Sequence, residues 1–195
     1  GDTGAAAISA LTKRKKINLF VLHPYNKISK VQKKIMTTIG GSNIYNIAIK
    51  GSFDDCQKIV KQMFSDNIFR QTINMSGVNS INWARIMFQI VYYFYSFLKL
   101  NKKKINYAVP TGNFGDIYAG YMAKKMGLPI EKLIVATNEN DILQRVVNKG
   151  IYKPSKVKAS ISPSMDIQIS SNFERLLFYA VNSKDTEVKK LMKNL

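Results

Sequence analysis

Apolar and polar positions along this chain fall into short blocks whose period switches between that of a helix and that of a strand. Gly1-Asp-Thr-Gly-Ala-Ala-Ala7 starts a predicted helix that runs to about Lys15, with Asp2 or Thr3 able to cap it and the basic run 13–16 suited to its negative end. Residues 17–22 form a compact apolar strand, and 23–27 a turn around Pro24. Ser29 is placed to cap a helix through about Ile39, which Gly40 and Gly41 end. Residues 43–49 alternate in part, as strands do, and Ser52 precedes a helix over 53–64. The longest helix opens at 79–85 and runs to about Leu100; apolar residues surround it nearly completely, so the pattern predicts a buried helix. A lysine-rich turn leads into a buried strand over 105–109, a glycine-bounded loop and a helix over 116–126 that Leu128 and Pro129 break. A strand over 132–137 and a helix over 140–148, ended by Gly150, follow. Residues 151–171 read as irregular, and Asn172 starts a final amphipathic helix to about Val181. Helices alternating with short apolar strands indicate an α/β fold with a mostly parallel sheet in layers flanked by helices.

Composition narrows the functional classes. At 195 residues and 46% apolar, the chain can bury a core as one domain or as part of a larger one. No apolar run reaches the roughly 18 residues of a membrane span. The single cysteine, Cys56, allows no internal disulfide, which fits a reducing cytoplasm. The net charge of +18 invites a nucleic-acid reading. Against it, the lysines are spread along the chain, and richness in Lys, Ile and Asn is what an AT-rich genome produces. No RNP-like aromatic motif, zinc-finger spacing or basic heptad helix accompanies the charge, so solvated lysine faces are the expectation, without nucleic acid as partner. No His/Cys/carboxylate cluster points to a metal.

The chemistry-bearing stretch is Tyr107-Ala-Val-Pro-Thr-Gly-Asn-Phe-Gly-Asp116. Gly112 and Gly115 lack a Cβ, so backbone there can approach a ligand and adopt positive φ. The helix that follows starts with unpaired N–H groups at its positive end, which makes a phosphate cradle. It is neither a Walker loop, lacking Gly-Lys-Ser/Thr, nor the dinucleotide fingerprint, lacking a third glycine. An ordinary strand–turn–helix corner has the same local sequence.

Several stretches together resemble one family. Gly1-Asp-Thr-Gly-Ala-Ala-Ala7, Gly51-Ser-Phe-Asp-Asp-Cys-Gln57, Ser76-Gly-Val-Asn-Ser-Ile-Asn-Trp-Ala-Arg85, Val109-Pro-Thr-Gly-Asn-Phe-Gly-Asp-Ile117, Ala136-Thr-Asn-Glu-Asn-Asp-Ile142, Ser162-Pro-Ser-Met-Asp-Ile167 and Ser171-Asn-Phe-Glu-Arg175 occur in the order of the threonine synthases. These are pyridoxal-phosphate enzymes of the tryptophan-synthase-β fold type (fold type II). The resemblance covers nearly all of the chain to about Phe178. It implies conversion of O-phospho-L-homoserine and water to L-threonine and phosphate, the last step of threonine biosynthesis, with pyridoxal 5'-phosphate as cofactor and no nucleic-acid or membrane partner.

By the same resemblance, Gly112, Asn113, Phe114, Gly115 and Asp116 match the loop that binds the cofactor phosphate. Gly1, Asp2, Thr3 and Gly4 match the loop at the substrate's amino-acid end. Asn79, Ser80, Asn82 and Arg85 suit the substrate phosphate, although Asn79 and Ser80 also suit a helix cap. Residues 137–140, at the end of a strand, are a candidate rim. His23 stands where the family has an aromatic residue, and Cys56, Trp83 and the aromatic run 92–95 read as packing. The family's Schiff-base lysine lies upstream of the Gly-Asp-Thr-Gly motif, so no catalytic residue is expected within this chain, and Lys33, Lys124 and Lys132 are not promoted to that role. The chain starts without Met and reads as the central part of the enzyme, incomplete and with negligible activity alone. A related phospho-lyase giving a keto acid, and a non-catalytic basic binding module, are the alternatives.

Overall fold

The alternation read from the sequence resolves into two strand pairs, each parallel and each with a helix between its strands. A computed structural model describes residues 2–194, Asn194 by its backbone alone. The chain divides into two units, residues 1–78 with 159–166, and 79–158 with 167–195.

In the first unit, α1 (Asp2–Leu11), β1 (Leu19–Pro24), α2 (Lys30–Thr38) and β2 (Ile44–Ile49) are followed by α3 (Phe53–Ser65) and α4 (Asn67–Thr72). Strand β1 pairs with β2 from Leu19↔Ile44 to Pro24↔Ile49. Ser29 caps α2 in a full capping box: its hydroxyl accepts from the Gln32 N–H while the Gln32 side chain accepts from the Ser29 N–H. Ser52 and Asp55 repeat the device on α3. Ala7 and Ile8 of α1, Leu19 and Val21 of β1 and Met36 of α2 form the core. A Cβ on Gly4 would lie 2.9 Å from both Met36 Sδ and Val21 Cγ1, so glycine lets α1 seat on that core.

The second unit holds α5 (Trp83–Leu100), β3 (Ile105–Pro110), α6 (Gly115–Lys125), β4 (Ile130–Ala136), α7 (Ile142–Lys149), α8 (Phe173–Ala180) and α9 (Asp185–Asn194), with a short 3-10 turn at Pro163–Met165 in the other unit. Strands β3 and β4 pair in parallel, with an irregularity between Ile105 and Tyr107. There the Asn106 side chain accepts from the Lys132 N–H and makes good the broken ladder. The core gathers Ile86, Ile90 and Tyr93 of α5, Ile117, Tyr118, Ala119 and Ala123 of α6, and Ile142 and Leu143 of α7.

Several expectations are corrected. Helix α5 is not buried all round: Phe88, Val91, Tyr92, Tyr95 and Leu98 are exposed, because only the face carrying Ile86, Ile90 and Tyr93 meets a neighbour. Within the aromatic run 92–95, Tyr93 is therefore core while Tyr92 and Tyr95 are surface, and Trp83 is also exposed. Strand β3 is half-buried, with alternate residues facing outward. Helices α4 and α9 lie where no helix was expected. Strand β1 runs on through His23 and Pro24, so the expected turn begins later.

Small residues on α6 bring α5 close. A Cβ at Gly120 would sit 2.6 Å from Tyr93 Cε1 and 2.9 Å from Leu133 Cδ2. The Tyr93 ring cannot swing aside freely, since its hydroxyl donates to the Asp116 carbonyl at 2.7 Å and its face meets the Tyr107 ring edge-on. Overpacking therefore outweighs the gain in helix propensity of about 1 kcal/mol. Gly120→Ala is expected to destabilise the chain by about 1–3 kcal/mol, read as a lower urea midpoint at unchanged m-value. An unchanged midpoint would mean that the ring yields at no cost.

Candidate functional site

Strand β3 delivers the chain into the loop 111–114, and the loop is fastened from outside itself. The Thr111 N–H donates to the Ala136 carbonyl at 2.8 Å, extending the β3–β4 ladder by one rung. The Ser170 hydroxyl donates to the Gly112 carbonyl at 2.8 Å. The Asn113 carbonyl accepts twice, from the Asn172 N–H at 3.1 Å and from Asn172 Nδ2 at 3.0 Å. A trans peptide is planar, so a carbonyl pointing one way sends the next N–H the opposite way. Anchoring the Gly112 and Asn113 carbonyls on the 170–172 segment therefore turns the N–H groups of Asn113 and Phe114 to the other side. Among the described residues, no acceptor meets the N–H groups of residues 112–115.

Phe114, the N-cap residue of α6, carries the loop's left-handed backbone, with φ 66° and ψ 0°. This corrects the assignment of positive φ to Gly112 and Gly115; the described glycines with positive φ are Gly127 and Gly150. Gly115 is needed for space instead. A Cβ there would lie 3.2 Å from Ser80 Cβ and 3.4 Å from Asn172 Nδ2. The Phe114 ring is buried, edge-on to Phe173, which stacks on Tyr152. Tyr152 in turn accepts from the Ser170 N–H at 2.7 Å.

Asp116 lies in the first turn of α6 and its Oδ1 accepts from the Ile117 N–H at 2.8 Å. Burial pushes its carboxyl above the ordinary range, and the bond from Ile117 offsets this in part. It borders a mostly apolar cleft of about 340 Å³ shared with Gln89, Tyr93 and Tyr107. A larger cleft of about 540 Å³, lined by Trp83, Tyr118 and Tyr179 among others, contains none of the expected site residues.

The polar cluster before α5 divides its labour. Asn82 caps the helix, its Oδ1 accepting from the Ala84 N–H at 3.0 Å. Asn79 closes the preceding turn by accepting from the Ile81 N–H. Ser80 Oγ accepts from Asn172 Nδ2 at 3.2 Å, beside the loop. Arg85 is half-buried on the first turn of α5. Asn140, in the candidate rim, is buried and exchanges hydrogen bonds with the Lys158 backbone in both directions.

In the first unit, Asp2 and Thr3 stand within the first turn of α1, and Gly1 lies outside the described residues. The Asp2 carboxylate accepts from Ser164 Oγ and from Gln32 Nε2, the latter at 2.7 Å. Gln32 thus serves the α2 capping box with its oxygen and Asp2 with its nitrogen. Of the lysines set aside above, Lys33, Lys124 and Lys132 are all exposed. Cys56 is buried, and burial followed by the Asp55 charge raises its thiol, as suits packing better than a nucleophile. Among the described residues no group of His, Cys, Asp and Glu could hold a metal, and no helix is long and apolar enough to cross a membrane.

A row of unclaimed backbone donors at a helix start suits a phosphate dianion without a lysine. Comparison with known proteins bears on which phosphate. The family model described as "Pyridoxal-phosphate dependent enzyme" matches residues 1–195. The chain belongs to this family. Among relatives of this pyridoxal-phosphate dependent enzyme chain, the threonine synthase of Pseudomonas aeruginosa is 55% identical over 180 residues, covering 91% of the chain and 38% of that protein. That of Saccharomyces cerevisiae is 55% identical over 184 residues, covering 92% and 36%. A PLP-bound threonine synthase structure from Brucella melitensis matches with TM-score 0.85 and 54% identity over 100% of this chain and 42% of that one. The Escherichia coli enzyme gives 0.86 and 38%, over 94% and 44%. The fold is therefore that of fold type II enzymes, and the chain spans less than half the length of these relatives.

The hydrogen bonds from Ser164 and then Gln32 hold the Asp2 carboxyl below its ordinary range. A depressed folded-state pKa stabilises the fold above the unfolded value of about 4 and is lost as pH falls through the folded value. Ser164→Ala is expected to raise the Asp2 pKa toward the ordinary value in an NMR titration, and to weaken the fall in stability below about pH 4. An unmoved titration would remove Ser164 as its partner.

Proposed function

We propose that the protein carrying this chain is a threonine synthase, converting O-phospho-L-homoserine and water to L-threonine and phosphate. The reading is supported above all by the unclaimed N–H groups of residues 112–115, in a chain that is over half identical to threonine synthases. Gly112, Asn113, Phe114, Gly115 and Asp116 form the cradle for the phosphate of pyridoxal 5'-phosphate. The backbone donates to the dianion, and the α6 dipole adds to the attraction. When bound, the cofactor supplies an electron sink for carbanions formed on the substrate.

The rest of the chain binds and orients. Gly1, Asp2, Thr3 and Gly4 take the amino-acid end of the substrate, and the N–H groups at the start of α1 suit its carboxylate. Gln32 and Ser164 keep Asp2 ionised and fixed there. Asn79, Ser80, Asn82 and Arg85 take the substrate phosphate, where Arg85 offers a charged fork and the others neutral donors. Holding the phosphate at Cγ fixes which bond breaks as the leaving group departs. No lysine of this chain is assigned a covalent role. We place the enzyme in the cytoplasm, in keeping with a single buried cysteine.

The test is product identification by mass spectrometry with the complete reading frame that carries this chain, pyridoxal 5'-phosphate and O-phospho-L-homoserine. Threonine and phosphate in equal amounts are expected. A keto acid would move the protein to phospho-lyase chemistry. No product and no cofactor binding would overturn the enzymatic reading.

A further inference from the structure

The segment at residues 170–172 has no assigned role in the proposed reaction, yet it holds the densest polar contacts around the loop. Asn172 is fully buried, at 0% exposure. Its N–H and its Nδ2 both donate to the Asn113 carbonyl, Nδ2 also donates to Ser80 Oγ at 3.2 Å, and its Oδ1 accepts from Arg175 Nε at 2.9 Å. Arg175 is itself fixed by donating to the Ile81 carbonyl at 2.7 Å. An apolar side chain would fill this volume without the desolvation that a buried amide entails. What the amide adds is direction.

That direction reaches two places. Two donors on the Asn113 carbonyl occupy both of its lone pairs, so this peptide cannot flip without stranding them. With the carbonyl fixed, the Phe114 N–H is fixed on the opposite side. The same Nδ2 orients Ser80, whose hydroxyl then donates to Asn79 Oδ1 at 3.4 Å. Ser170 applies the same tether to the Gly112 carbonyl and hence to the Asn113 N–H.

We propose that Asn172 is the positioning residue of the phosphate loop, setting the aim of the Phe114 N–H and the rotamer of Ser80 together, with Ser170 as its auxiliary. This rests on the proposed function, since it takes the loop as the cofactor-phosphate cradle. Asn172 touches neither cofactor nor substrate; it acts through Asn113 and Ser80. A loss at this residue should therefore fall on recognition of the phosphate rather than of the pyridine ring.

The test compares pyridoxal 5'-phosphate with pyridoxal, which lacks the phosphate, in absorbance titrations of the complete apoenzyme. Wild-type protein is expected to prefer the phosphorylated form. Asn172→Ala should cut that preference by about tenfold or more, leaving pyridoxal affinity within about twofold. Ser170→Ala, which removes one hydroxyl, should cut it in the same direction by a smaller factor, and it decides the matter if Asn172→Ala fails to fold in a thermal melt. Variants that keep the wild-type preference, or lose both ligands in equal proportion, would overturn the positioning role. A wild-type protein with no preference for the phosphorylated form would instead overturn the cradle reading itself.

Discussion

A peptide carbonyl and the N–H that follows it point in opposite directions, and the loop after β3 depends on this constraint. Whatever holds the carbonyls at Gly112 and Asn113 also decides where their partner N–H groups point. The holding groups come from residues 170–172, far away in sequence but packed against the loop. Local geometry alone would resist the arrangement. Phe114 sits in the left-handed region, which costs an ordinary side chain roughly 1–2 kcal/mol. The ring repays that locally unfavourable backbone by packing against Phe173, itself one residue beyond Asn172. Backbone tether and aromatic anchor thus come from one short segment, so the loop's conformation is a property of the second unit's core.

Charge plays a smaller part than the composition suggests. A net charge of +18 would let lysines bind phosphate directly, yet residues 111–116 contain no basic side chain. In the proposed cradle the donors are backbone N–H groups, fixed in number and direction and unable to wander as a lysine ammonium does. The ion pairs found among the described residues are partly or largely exposed, at Arg145–Asp141, Lys158–Glu139 and Lys189–Asp185. Exposed pairs contribute little to stability. The basic excess is a feature of the surface, and the loop after β3 carries its donors on the backbone instead.

How much of this was legible in the sequence follows from the range of each interaction. Order and type of the strands and of most helices were readable, because period, caps and breakers act within a few residues; Ser29 and Ser52 cap as expected. The glycine-bounded loop between strand and helix was readable for the same reason, and its use as a phosphate cradle is the reading proposed above. Helix α4 was not, since Asn67–Thr72 is too short to show a period and its signal is the cap at Asp66. The burial of α5 was misjudged because an apolar surface says nothing about how many neighbours cover it. Glycine suggested positive φ, but at Gly115 the absent Cβ makes room for Ser80 and Asn172. Asn172 carried no local sign of its role, because its partners are Asn113 and Ser80.

The stretch between α7 and α8 is where local reasoning was weakest, and it is occupied by fixed structure. Asn140 clasps the Lys158 backbone, and Gln168 accepts from both Arg145 Nη2 and the Ser155 N–H. Further on, Ser160 donates to Asp166 at 2.6 Å, and Ser164 donates to Asp2. Beyond these, Ser170 and Asn172 take the loop carbonyls. Irregular backbone lacks ladder partners, so each buried polar group needs a side chain to match it. Those side chains are the ones that orient Asp2 in the first unit and the loop after β3 in the second. A segment without regular elements can hold its neighbours more specifically than a strand would, because each contact is a separate side-chain bond with its own direction.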